Sequence, residues 1–550
     1  MIRAKLKEIV DAAFQQGIAE GLWSAAAAGR YTVELPKHEG QGDFATNIAM
    51  IIAGTDKKNP REIAGRFAEK LQAAAALIDR VEIAGPGFVN VFINQQQWQG
   101  MIPAILAAGR DFGRSTAGAG RRVMVEFVSA NPTGPLSIGH GRQAILGDAI
   151  ARLLTATGHQ VYREYYYNDA GRQMRVLGES TRARYLELLG ESAAFPEDGY
   201  QGEYIVDIAR SLLLERGDSL KEQTEVTPFK EQAEQAIFRD ISATLERMGI
   251  HFDNFYNEQS LYTDGHIDSV VGELRDKGYV YEKEGAVWFR TTAFGHDQDR
   301  VIIKSSGEPT YRLPDIAYHR EKFRRGFDWL VDIFGSDHIA TVPDVLAGVE
   351  ALGYDPGKVT VVLHQFVTLV RDGKQVKMST RKANFITVDE LLDEVGIDPV
   401  RFFFMMRKAD SQLEFDLGLA TRQSQDNPVF YVQYGHARLC AILRQAEEKG
   451  LAVEGDAELE LLTAAEELKL LQSLSSFPAV VENSALELAP HRIIFYLMEL
   501  AGQIHSYYNK YKVIGDDRSL SHARLALVRA LRIVLGNGLE MVGLTAPERM

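Results

Sequence analysis

Apolar and polar positions follow two different periods along the middle of the chain. The run 123-VMVEFVS-129 predicts a buried strand, and 139-GHGRQAILGDAIARLLTATG-158 predicts a helix with one apolar face. A strand, a glycine-bearing corner and a helix in this order form the start of an α/β sheet. Further strands are predicted in four later runs, at 160–167, 286–291, 329–335 and 358–363. The middle of the chain is therefore predicted to be α/β, with an insertion at about 171–285.

The two flanking regions have different patterns. The N-terminal region combines helical segments with a short apolar strand at 86–93, and it ends before the glycine- and alanine-rich 113–120, a predicted linker. After about Asn427 the strand signals stop and long helical segments follow, at 428–448, 486–513 and 521–543. The sequence thus predicts a small α+β domain, an α/β domain and an all-α bundle, with boundaries at 1–112, 113–425 and 426–550.

Composition narrows the class of protein. With 550 residues the chain exceeds what one hydrophobic core normally serves, and 45% hydrophobic residues is typical of globular proteins. The 61 Lys and Arg residues against 75 Asp and Glu residues give a net charge of −14. This charge argues against a uniformly basic surface for nucleic acid and remains compatible with a local basic patch.

Cysteine usage and hydropathy indicate the compartment. Cys440 is the single cysteine, so no intramolecular disulfide forms, and the sequence has neither a CxxC pair nor an HExxH zinc motif. We expect a reducing cytoplasm and no structural zinc. The N-terminal segment interleaves charged and apolar residues, unlike a signal peptide, and no eighteen apolar residues run together, so no membrane span is predicted.

The stretch 131-NPTGPLSIGH-140 predicts a polar corner between the first strand and helix of the α/β domain. Gly139 and Gly141 permit close approach of a ligand, and the free N–H groups of the following helix attract phosphate oxygens. His140, Ser137 and Asn131 offer hydrogen bonds nearby. Taken alone, the stretch is equally compatible with a turn whose polar residues only satisfy the backbone. No GxxxxGK[ST] sequence exists, which excludes an ordinary P-loop.

A second polar stretch, 371-RDGKQVKMSTRKANFITVDELLDEVG-396, indicates a phosphate-binding loop. The pair at 372–373 predicts a hairpin turn, and Thr387 with Glu390 predicts a capping box for the next helix. The loop between them carries hydroxyl and cationic side chains, which suit the charge that develops on a leaving pyrophosphate. Taken alone, a run of Lys and Arg before a helix is usually a solvated turn.

Together the two stretches resemble the HIGH and KMSKS signatures of class I aminoacyl-tRNA synthetases, written here as SIGH and KMSTR. The surrounding blocks are similar to arginyl-tRNA synthetases of the bacterial type: 126-EFVSANPTGP-135, 165-YYYNDAGRQ-173, 285-GAVWFRTT-292, 311-YRLPDIAYH-319, 427-NPVFYVQYGHAR-438 and 546-APERM-550. The resemblance spans nearly the whole chain, and several blocks are long and specific.

The resemblance implies both a fold and an activity. Residues 113–425 would form a class I, Rossmann-like catalytic domain, between an N-terminal tRNA-binding domain and a helical anticodon-binding domain. The family activates L-arginine with Mg-ATP to arginyl-adenylate, releases pyrophosphate, and transfers the arginyl group to the terminal adenosine of tRNA(Arg). It requires tRNA for the first step. We also expect a monomer and no covalent enzyme intermediate.

The resemblance also implies roles for individual residues. The arginine pocket would be formed by Glu126, Asn131, Tyr311 and Asp315, which suits a guanidinium that pairs with carboxylates. The alternative for Glu126 and Asp315 is that they balance structural arginines. The ATP contacts would be Gly139, His140, Gly335, Asp337, His338, Lys377 and Met378. The catalytic contacts would be Ser137, His140, Lys377, Ser379 and Arg381.

Four further residues match tRNA contacts of the family. Phe88 and Asn90 match positions at the tRNA elbow, where an aromatic ring stacks on a base and an amide reads its edge. Tyr434 and Met550 match positions near the anticodon. For Phe88 and Tyr434, core packing is an alternative of nearly equal weight.

Two departures from the family pattern leave a second function open. Ser137 stands where the first motif usually has histidine, and Thr380 stands where the second has lysine. Lys377, Arg381 or Lys382 can replace that lysine, whereas we identify no substitute for the histidine. The alternative is a degenerate paralogue that binds tRNA or ATP without charging, although the intact pocket favours activity. A class I synthetase for another amino acid is a weaker third interpretation.

Overall fold

The computed structural model describes residues 2–36, 38, 40–72, 76–371, 373–376, 386–451 and 457–550. The N-terminal region packs helices against a four-stranded antiparallel sheet in the order β1-β2-β4-β3. Its helices are α1 (Ile2–Ala19), α2 (Ile48–Asp56), α3 (Pro60–Gln72), α4 (Gln95–Gln99) and α5 (Met101–Ala108). Its strands are β1 (Val33–Glu34), β2 (Phe44–Thr46), β3 (Ile78–Ala84) and β4 (Phe88–Ile93). The predicted α+β class is confirmed.

The middle region contains most of the strands. They are β5 (Arg122–Glu126), β6 (Gln160–Tyr167), β7 (Asn254–Asn257), β8 (Val280–Lys283), β9 (Ala286–Phe289), β10 (Arg300–Ile303), β11 (Trp329–Gly335), β12 (Val359–His364), β13 (Val367–Arg371), β14 (Lys374–Gln375) and β15 (Leu413–Asp416). Its helices are α6 (Ile138–Ala156), α7 (Gly171–Leu188), α8 (Glu203–Arg216), α9 (Thr227–Arg247), α10 (Gln259–Thr263), α11 (His266–Asp276), α12 (Arg312–Arg324), α13 (Val342–Ala351), α14 (Val388–Val395), α15 (Ile397–Met405) and α16 (Leu417–Ala420).

Five parallel strands form the central sheet, in the order β12-β11-β5-β6-β7. From β5 the chain builds outward to β6 and β7, and it then returns to the other side of β5 to add β11 and β12. This is the doubly wound arrangement of Rossmann-like folds, so the predicted fold class is confirmed. The apolar side chains of α6, among them Ile145, Ala149 and Leu153, are buried against the sheet as the sequence period predicts.

One predicted strand belongs to a different sheet. The run 286–291 forms β9, which lies in a separate antiparallel sheet with β8 and β10 rather than in the parallel sheet. The place at the edge of the parallel sheet is taken by β7, whose sequence Asn-Phe-Tyr-Asn gave no strand signal. Edge strands are often short, and asparagine is depleted in strands, so this four-residue segment has no strand-like composition.

The insertion covers the polar corner at 131–140. Helices α7, α8 and α9 lie between β6 and β7 and enclose a small core of their own around Tyr185 and Phe229. From α8, Tyr204 donates its hydroxyl to the carbonyl of Thr133 at 2.8 Å. A Cβ at Gly134 would lie 2.9 Å from that hydroxyl, so the glycine leaves room for this contact.

The C-terminal region is helical, and its prediction is confirmed. It consists of α17 (Pro428–Glu448), α18 (Ala465–Leu486), α19 (His491–Lys510) and α20 (Arg518–Met541). The predicted linker 113–120 is held in place, since the N–H groups of Ser115 and Gly118 donate to carbonyls at the end of α6 at 3.0 and 2.7 Å. One continuous hydrophobic cluster includes residues of all three regions, so the domain boundaries at 112 and 425 stay predictions.

Among the described residues, no helix is long and apolar enough to cross a membrane.

Candidate active site

The carboxyl ends of β5 and β11 form the centre of the candidate site. The two strands are neighbours, but the chain continues from β5 toward one side of the sheet and from β11 toward the other. At such a reversal the connections diverge and leave a crevice, where open α/β sheets bind their ligands. Glu126 ends β5 and Gly335 ends β11, so two of the predicted site residues lie at this crevice.

The chain leaves β5 through a strained corner. Val128 (φ 68°) and Ser129 (φ 43°) both have left-handed backbone conformations, which are unfavourable for residues other than glycine. The Ser129 hydroxyl donates to Oε1 of Glu126 at 2.9 Å, and the same oxygen of Ser129 accepts the N–H of Tyr166 at 3.2 Å. The exit loop of the strand therefore fixes one side of the Glu126 carboxylate.

Ser137 and His140 form a reciprocal capping box at the start of α6. The Ser137 hydroxyl accepts the main-chain N–H of His140 at 3.5 Å, and the Ser137 N–H donates to Nδ1 of the His140 ring at 3.3 Å. Because Nδ1 is the acceptor, the proton of the neutral ring resides on Nε2. Burial lowers the pKa of His140, and the Asp337 carboxylate opposes this shift. His140 thus offers Nε2–H as a donor at a helix N-terminus, where anions bind.

The capping box gives Ser137 a function that the sequence did not indicate. Serine lacks the imidazole of the usual motif, but here it caps α6 and orients the ring of His140. The replacement therefore retains an ordered corner, although it removes one ring that would reach a phosphate.

The glycines of this corner have different structural requirements. A Cβ at Gly139 would meet nothing nearer than the Ser137 hydroxyl at 3.7 Å, so the space above this residue is open to a ligand. A Cβ at Gly141 would lie 2.8 Å from Val388, so this glycine allows α14 to pack against α6. Ligand approach therefore accounts for Gly139, whereas helix packing accounts for Gly141.

The loop 377–385 of the second motif lies outside the described residues, so the roles of Lys377, Met378, Ser379, Thr380, Arg381 and Lys382 stay predictions. Its two ends are described. Arg371 pairs with Lys374 in the expected hairpin, and Thr387 with Glu390 forms the expected capping box. The N–H of Val388 donates to the carbonyl of Leu136 at 2.9 Å. The chain thus emerges from this loop directly beside the corner that carries Ser137 and His140.

Carboxylates converge around Asp315 on α12. Burial raises the pKa of Asp315 to about 7; His319 acts against this rise, while Glu258 and Glu126 add to it. Glu258 follows β7 and accepts hydrogen bonds from the Tyr166 hydroxyl at 2.7 Å and the Asn168 amide at 2.8 Å. Burial also raises the pKa of Glu258. Buried carboxylates with elevated pKa values form a pocket in which binding of a cation is favourable.

The sequence did not single out Glu258. It follows a strand that the sequence also missed, and it reaches Asp315 only because β7 lies next to β6 in the sheet. The other two predicted pocket residues lie at different places. Asn131 accepts the N–H of Asn168 at 3.0 Å and donates to Gln173 at 3.2 Å, whereas Tyr311, one turn before Asp315, is 84% exposed.

A row of three carboxylates crosses the sheet beneath α12. In register, Asp332 of β11 lies beside Glu126 of β5, which lies beside Glu164 of β6. Lys322, with 0% of its side chain exposed, donates to Glu126 at 2.5 Å and to Asp332 at 2.7 Å. Arg325 pairs with Glu164 through two bonds of 2.7 Å. Glu126 is therefore balanced by a buried lysine rather than by a structural arginine.

Three of the residues predicted for ATP, Gly335, Asp337 and His338, lie at and after the carboxyl end of β11. Gly335 ends β11, and Asp337 and His338 follow in an exposed 3₁₀ turn, Ser336–Ala340. A Cβ at Gly335 would lie 2.4 Å from the Asp337 carboxylate, so glycine lets this carboxylate fold over the strand end. His364, which was not predicted, ends β12 in register with Gly335, and burial lowers its pKa to about 4.

The two predicted tRNA residues of the N-terminal region share one face of β4. Alternation along the strand places Phe88, Asn90 and Phe92 on the same face. Phe88 is 38% exposed, and Arg80 of β3 lies 3.5 Å from the Phe92 ring centroid. Asn90 is only 4% exposed, so Phe88 is the member of the pair that is open to a partner.

In the C-terminal region Tyr434 belongs to a stack of aromatic and guanidinium groups. The Phe430 ring is parallel to it at 5.8 Å, and the Arg438 guanidinium lies 4.6 Å from Tyr434 and 4.4 Å from Tyr508. Met550, which is 54% exposed, lines a cavity of about 460 Å³ together with Phe430. Phe430 contacts both predicted residues' surroundings, so Tyr434 and Met550 lie on one surface. Arg438 is a further member of this surface. The sequence could have indicated it, because residues four apart on a helix, such as Tyr434 and Arg438, are neighbours.

Among the residues that the structure describes, no group of three or more His, Cys, Asp and Glu side chains is arranged to hold a metal ion.

Comparison with known proteins identifies the family of the chain. Three family models match successive parts of the chain: "Arginyl tRNA synthetase N terminal domain" over 2–93, "tRNA synthetases class I (R), catalytic domain" over 101–403, and "DALR anticodon binding domain" over 432–550. An arginine–tRNA ligase of Desulfotalea psychrophila is 70% identical over 552 aligned residues, which cover 100% of both chains. The chain belongs to the arginyl-tRNA synthetase family.

Two further relatives extend this membership. An arginine–tRNA ligase of Salinibacter ruber is 49% identical over 94% of this chain and 95% of its own length. The solved arginyl-tRNA synthetase of Thermus thermophilus has a TM-score of 0.78 with 100% of both chains covered, at 22% identity, and therefore supports the fold. As an arginyl-tRNA synthetase, the chain places the first of its two class I motifs, with Ser137 and His140, at the same crevice that holds the acidic pocket.

Proposed function

We propose that the protein is an arginine–tRNA ligase that activates L-arginine with ATP and transfers the arginyl group to the 3′-terminal adenosine of tRNA(Arg). The pocket of Glu126, Asp315 and Glu258 carries this proposal, because it gathers carboxylates at the crevice of a class I fold. Arginine brings two cations, the guanidinium and the α-ammonium group, and so matches this excess of negative charge.

The first step is an in-line displacement at the α-phosphate of ATP. A carboxylate oxygen of arginine forms the new bond to phosphorus, and the bond to the bridging oxygen of pyrophosphate breaks. His140 donates Nε2–H to the phosphate oxygens from the N-terminus of α6, and Asp337 accepts from the ribose hydroxyls. The chain forms no covalent bond with the substrates in this step, so positioning and charge stabilisation lower the activation barrier.

In the second step a hydroxyl of the terminal adenosine, initially the 2′-hydroxyl, attacks the arginyl carbonyl carbon, and its proton passes to a phosphate oxygen of the departing AMP. AMP leaves with the electron pair of the broken anhydride bond. We assign the pyrophosphate contacts to Lys377, Ser379 and Arg381 of the second motif, which follows the hairpin of β13 and β14. Ser137 supports the catalytic corner through its hydrogen bonds with His140.

The remaining assignments concern substrates and partners. We propose that ATP enters as its Mg²⁺ complex, in which the substrate phosphates provide ligands to the ion. Arginine would contact Asn131 and Tyr311 besides the carboxylates, ATP would contact Gly139, and tRNA would contact both flanking regions. We further propose that the protein acts as a monomer in the cytoplasm. Nothing among the described residues favours the binding-only alternative.

Arginine-dependent exchange of pyrophosphate into ATP tests the proposed function. We expect exchange that requires arginine and tRNA(Arg). In reactions without added pyrophosphate, we expect arginyl-tRNA to form. Lysine, citrulline and glutamine serve as competing amino acids. Measurable tRNA binding without exchange under any of these conditions would contradict the proposed activity and favour the binding-only relative.

The KM for arginine should rise as the pH falls below about 7. Burial raises the pKa of Asp315 to about 7, and only its ionised form pairs with a guanidinium. Protonation therefore weakens arginine binding by up to roughly tenfold per pH unit below this value, and the KM levels off at higher pH. The measurement is the KM for arginine and for ATP between pH 5.5 and 8.5. A flat arginine profile over this range would show that Asp315 does not titrate on binding.

Replacing Tyr434 with alanine should weaken tRNA binding by roughly 5- to 150-fold, the range expected for loss of one base-stacking aromatic side chain. The ring stacks with Phe430 and Arg438 and offers a platform for an unpaired base. Filter binding of tRNA(Arg) measures the change. Phe495→Ala is the matched control, since this ring is also exposed in the helical region but lies outside the stack. Equal losses in the two variants would argue against a specific platform.

A further inference from the structure

The buried cluster beneath α12 has two carboxylates for one cation. Lys322 bridges Glu126 and Asp332, which lie side by side on neighbouring strands of the sheet. Asp332 has a second partner, because Nε2 of His319 lies 2.9 Å from its other oxygen. Within the described part of the chain, the only hydrogen-bond partner of the Glu126 side chain besides Lys322 is the neutral Ser129 hydroxyl. The negative charge that these partners leave uncompensated is therefore at Glu126, on the side of the cluster that faces the crevice.

We propose that Lys322 is a positioning residue of the arginine site, which holds the Glu126 carboxylate ionised and oriented so that it receives a cationic group of arginine. The proposal rests on the arginine site proposed above.

The geometry explains why a lysine suits this place. Its ammonium group is a compact cation with three donors, and two of them are directed to carboxylates on different strands. The Tyr318 ring lies 4.4 Å from the same ammonium group and covers its remaining side. Lys322 thus ties the end of β5 to β11 at the reversal point of the sheet, and the orientation of Glu126 depends on that tie.

The electrostatics agree with this role. Burial by itself would lower the pKa of Lys322, but Asp332 and Glu126 raise it above its usual range, so the lysine stays charged. Burial raises the pKa of Glu126, and the Lys322 ammonium acts in the opposite direction. Without Lys322, burial and the negative charge of Asp332 would both favour the neutral form of the Glu126 carboxyl, and the effect of His319 would oppose them.

Lys322 also connects Glu126 with the second part of the pocket. Lys322 and Asp315 lie on the same helix, α12, two turns apart. One anchored helix therefore sets both the position of Asp315 above the sheet and the orientation of Glu126 within it. A small displacement of this helix would change the spacing between the two carboxylates that face arginine.

A double-mutant cycle on the full chain tests the proposal. We compare Lys322→Met, Glu126→Gln and the double variant by the KM for arginine and for ATP in pyrophosphate exchange with tRNA present. Lys322→Met should raise the KM for arginine by roughly 30-fold or more, the cost expected when one partner of a buried charge pair is removed. Because Lys322 acts through Glu126, the double variant should have the same arginine KM as Glu126→Gln alone, and the KM for ATP should stay nearly constant.

A matched control separates positioning from general loss of structure. Arg325→Met removes the cation from Glu164, the third carboxylate of the same row, one strand further from the crevice. It should lower the melting temperature without raising the KM for arginine. Three results would each overturn the proposal. The KM for arginine could increase equally in Lys322→Met and Arg325→Met, or the effects in the cycle could be additive. Lys322→Met could also be destabilised with an unchanged KM for arginine.

Two additions keep the test decisive. If Lys322→Met fails to fold, Lys322→Arg and its double variant with Glu126→Gln complete the same cycle, with a smaller expected increase. Two arginine analogues identify the cation that Glu126 receives. The first, 5-guanidinopentanoic acid, lacks the α-ammonium group, and the second, citrulline, lacks the guanidinium charge. The variants should stop discriminating only against the analogue that lacks the cation bound by Glu126. Absence of arginine-dependent exchange in the unmodified chain would contradict the proposed function itself, whereas an active chain with unchanged variants contradicts this inference alone.

Discussion

Asp315→Asn raises the KM for arginine by about 30-fold or more and changes the KM for ATP by less than about threefold, because removing one partner of a buried charge pair costs about 2–5 kcal/mol. The amide has nearly the shape of the carboxylate, so the pocket keeps its volume and loses its charge. The variant also removes the repulsion that Glu258 and Glu126 each exert on the charged form of Asp315.

Kinetics of pyrophosphate exchange with tRNA present measure both constants. Glu467→Gln is the control, since Glu467 is a buried carboxylate paired with Arg524 in the helical region and lies outside the crevice. The pH dependence of the arginine KM should also disappear below pH 7 in Asp315→Asn. Equal increases of both KM values in Asp315→Asn would refute its assignment to the arginine pocket.

His140→Ala lowers kcat of pyrophosphate exchange by roughly 10²–10³, the usual effect of removing one donor from a developing charge. The structure gives the reason. Nδ1 of His140 accepts from the Ser137 N–H, so Nε2 carries the proton and is the donor that the ring offers at the N-terminus of α6. Because this donor acts mainly in the transition state, we expect the KM for arginine to change little.

Two companion variants define the effect of His140. His140→Gln places an amide N–H near the position of Nε2 and should recover part of the lost rate. Ser137→Ala keeps the ring but removes the cap of α6, at a cost of about 1 kcal/mol in stability, and should lower kcat less than His140→Ala does. A His140→Ala variant with normal kcat would show that the ring contributes only to the structure of the corner.

The sequence by itself determined the class of the fold, the polar corner before α6 and the capping box at the start of α14. Apolar runs followed by amphipathic segments predicted α6, β6 and β11 correctly, because the periods of helix and strand follow from local backbone geometry. The polar corner and the capping box of Thr387 and Glu390 were visible because each depends on residues within one turn. The resemblance to arginyl-tRNA synthetases added roles to these positions.

The tertiary structure alone decided which side chains meet. Glu258 and Asp315 are far apart along the chain, and only the order of strands in the sheet brings them into one pocket. Lys322 gave no signal, since one lysine among the charged residues of α12 resembles a solvated position until the register of β5 and β11 places two carboxylates beneath it. Periodicity is a local property of the chain, whereas burial, charge balance and pKa depend on neighbours that the fold supplies from elsewhere.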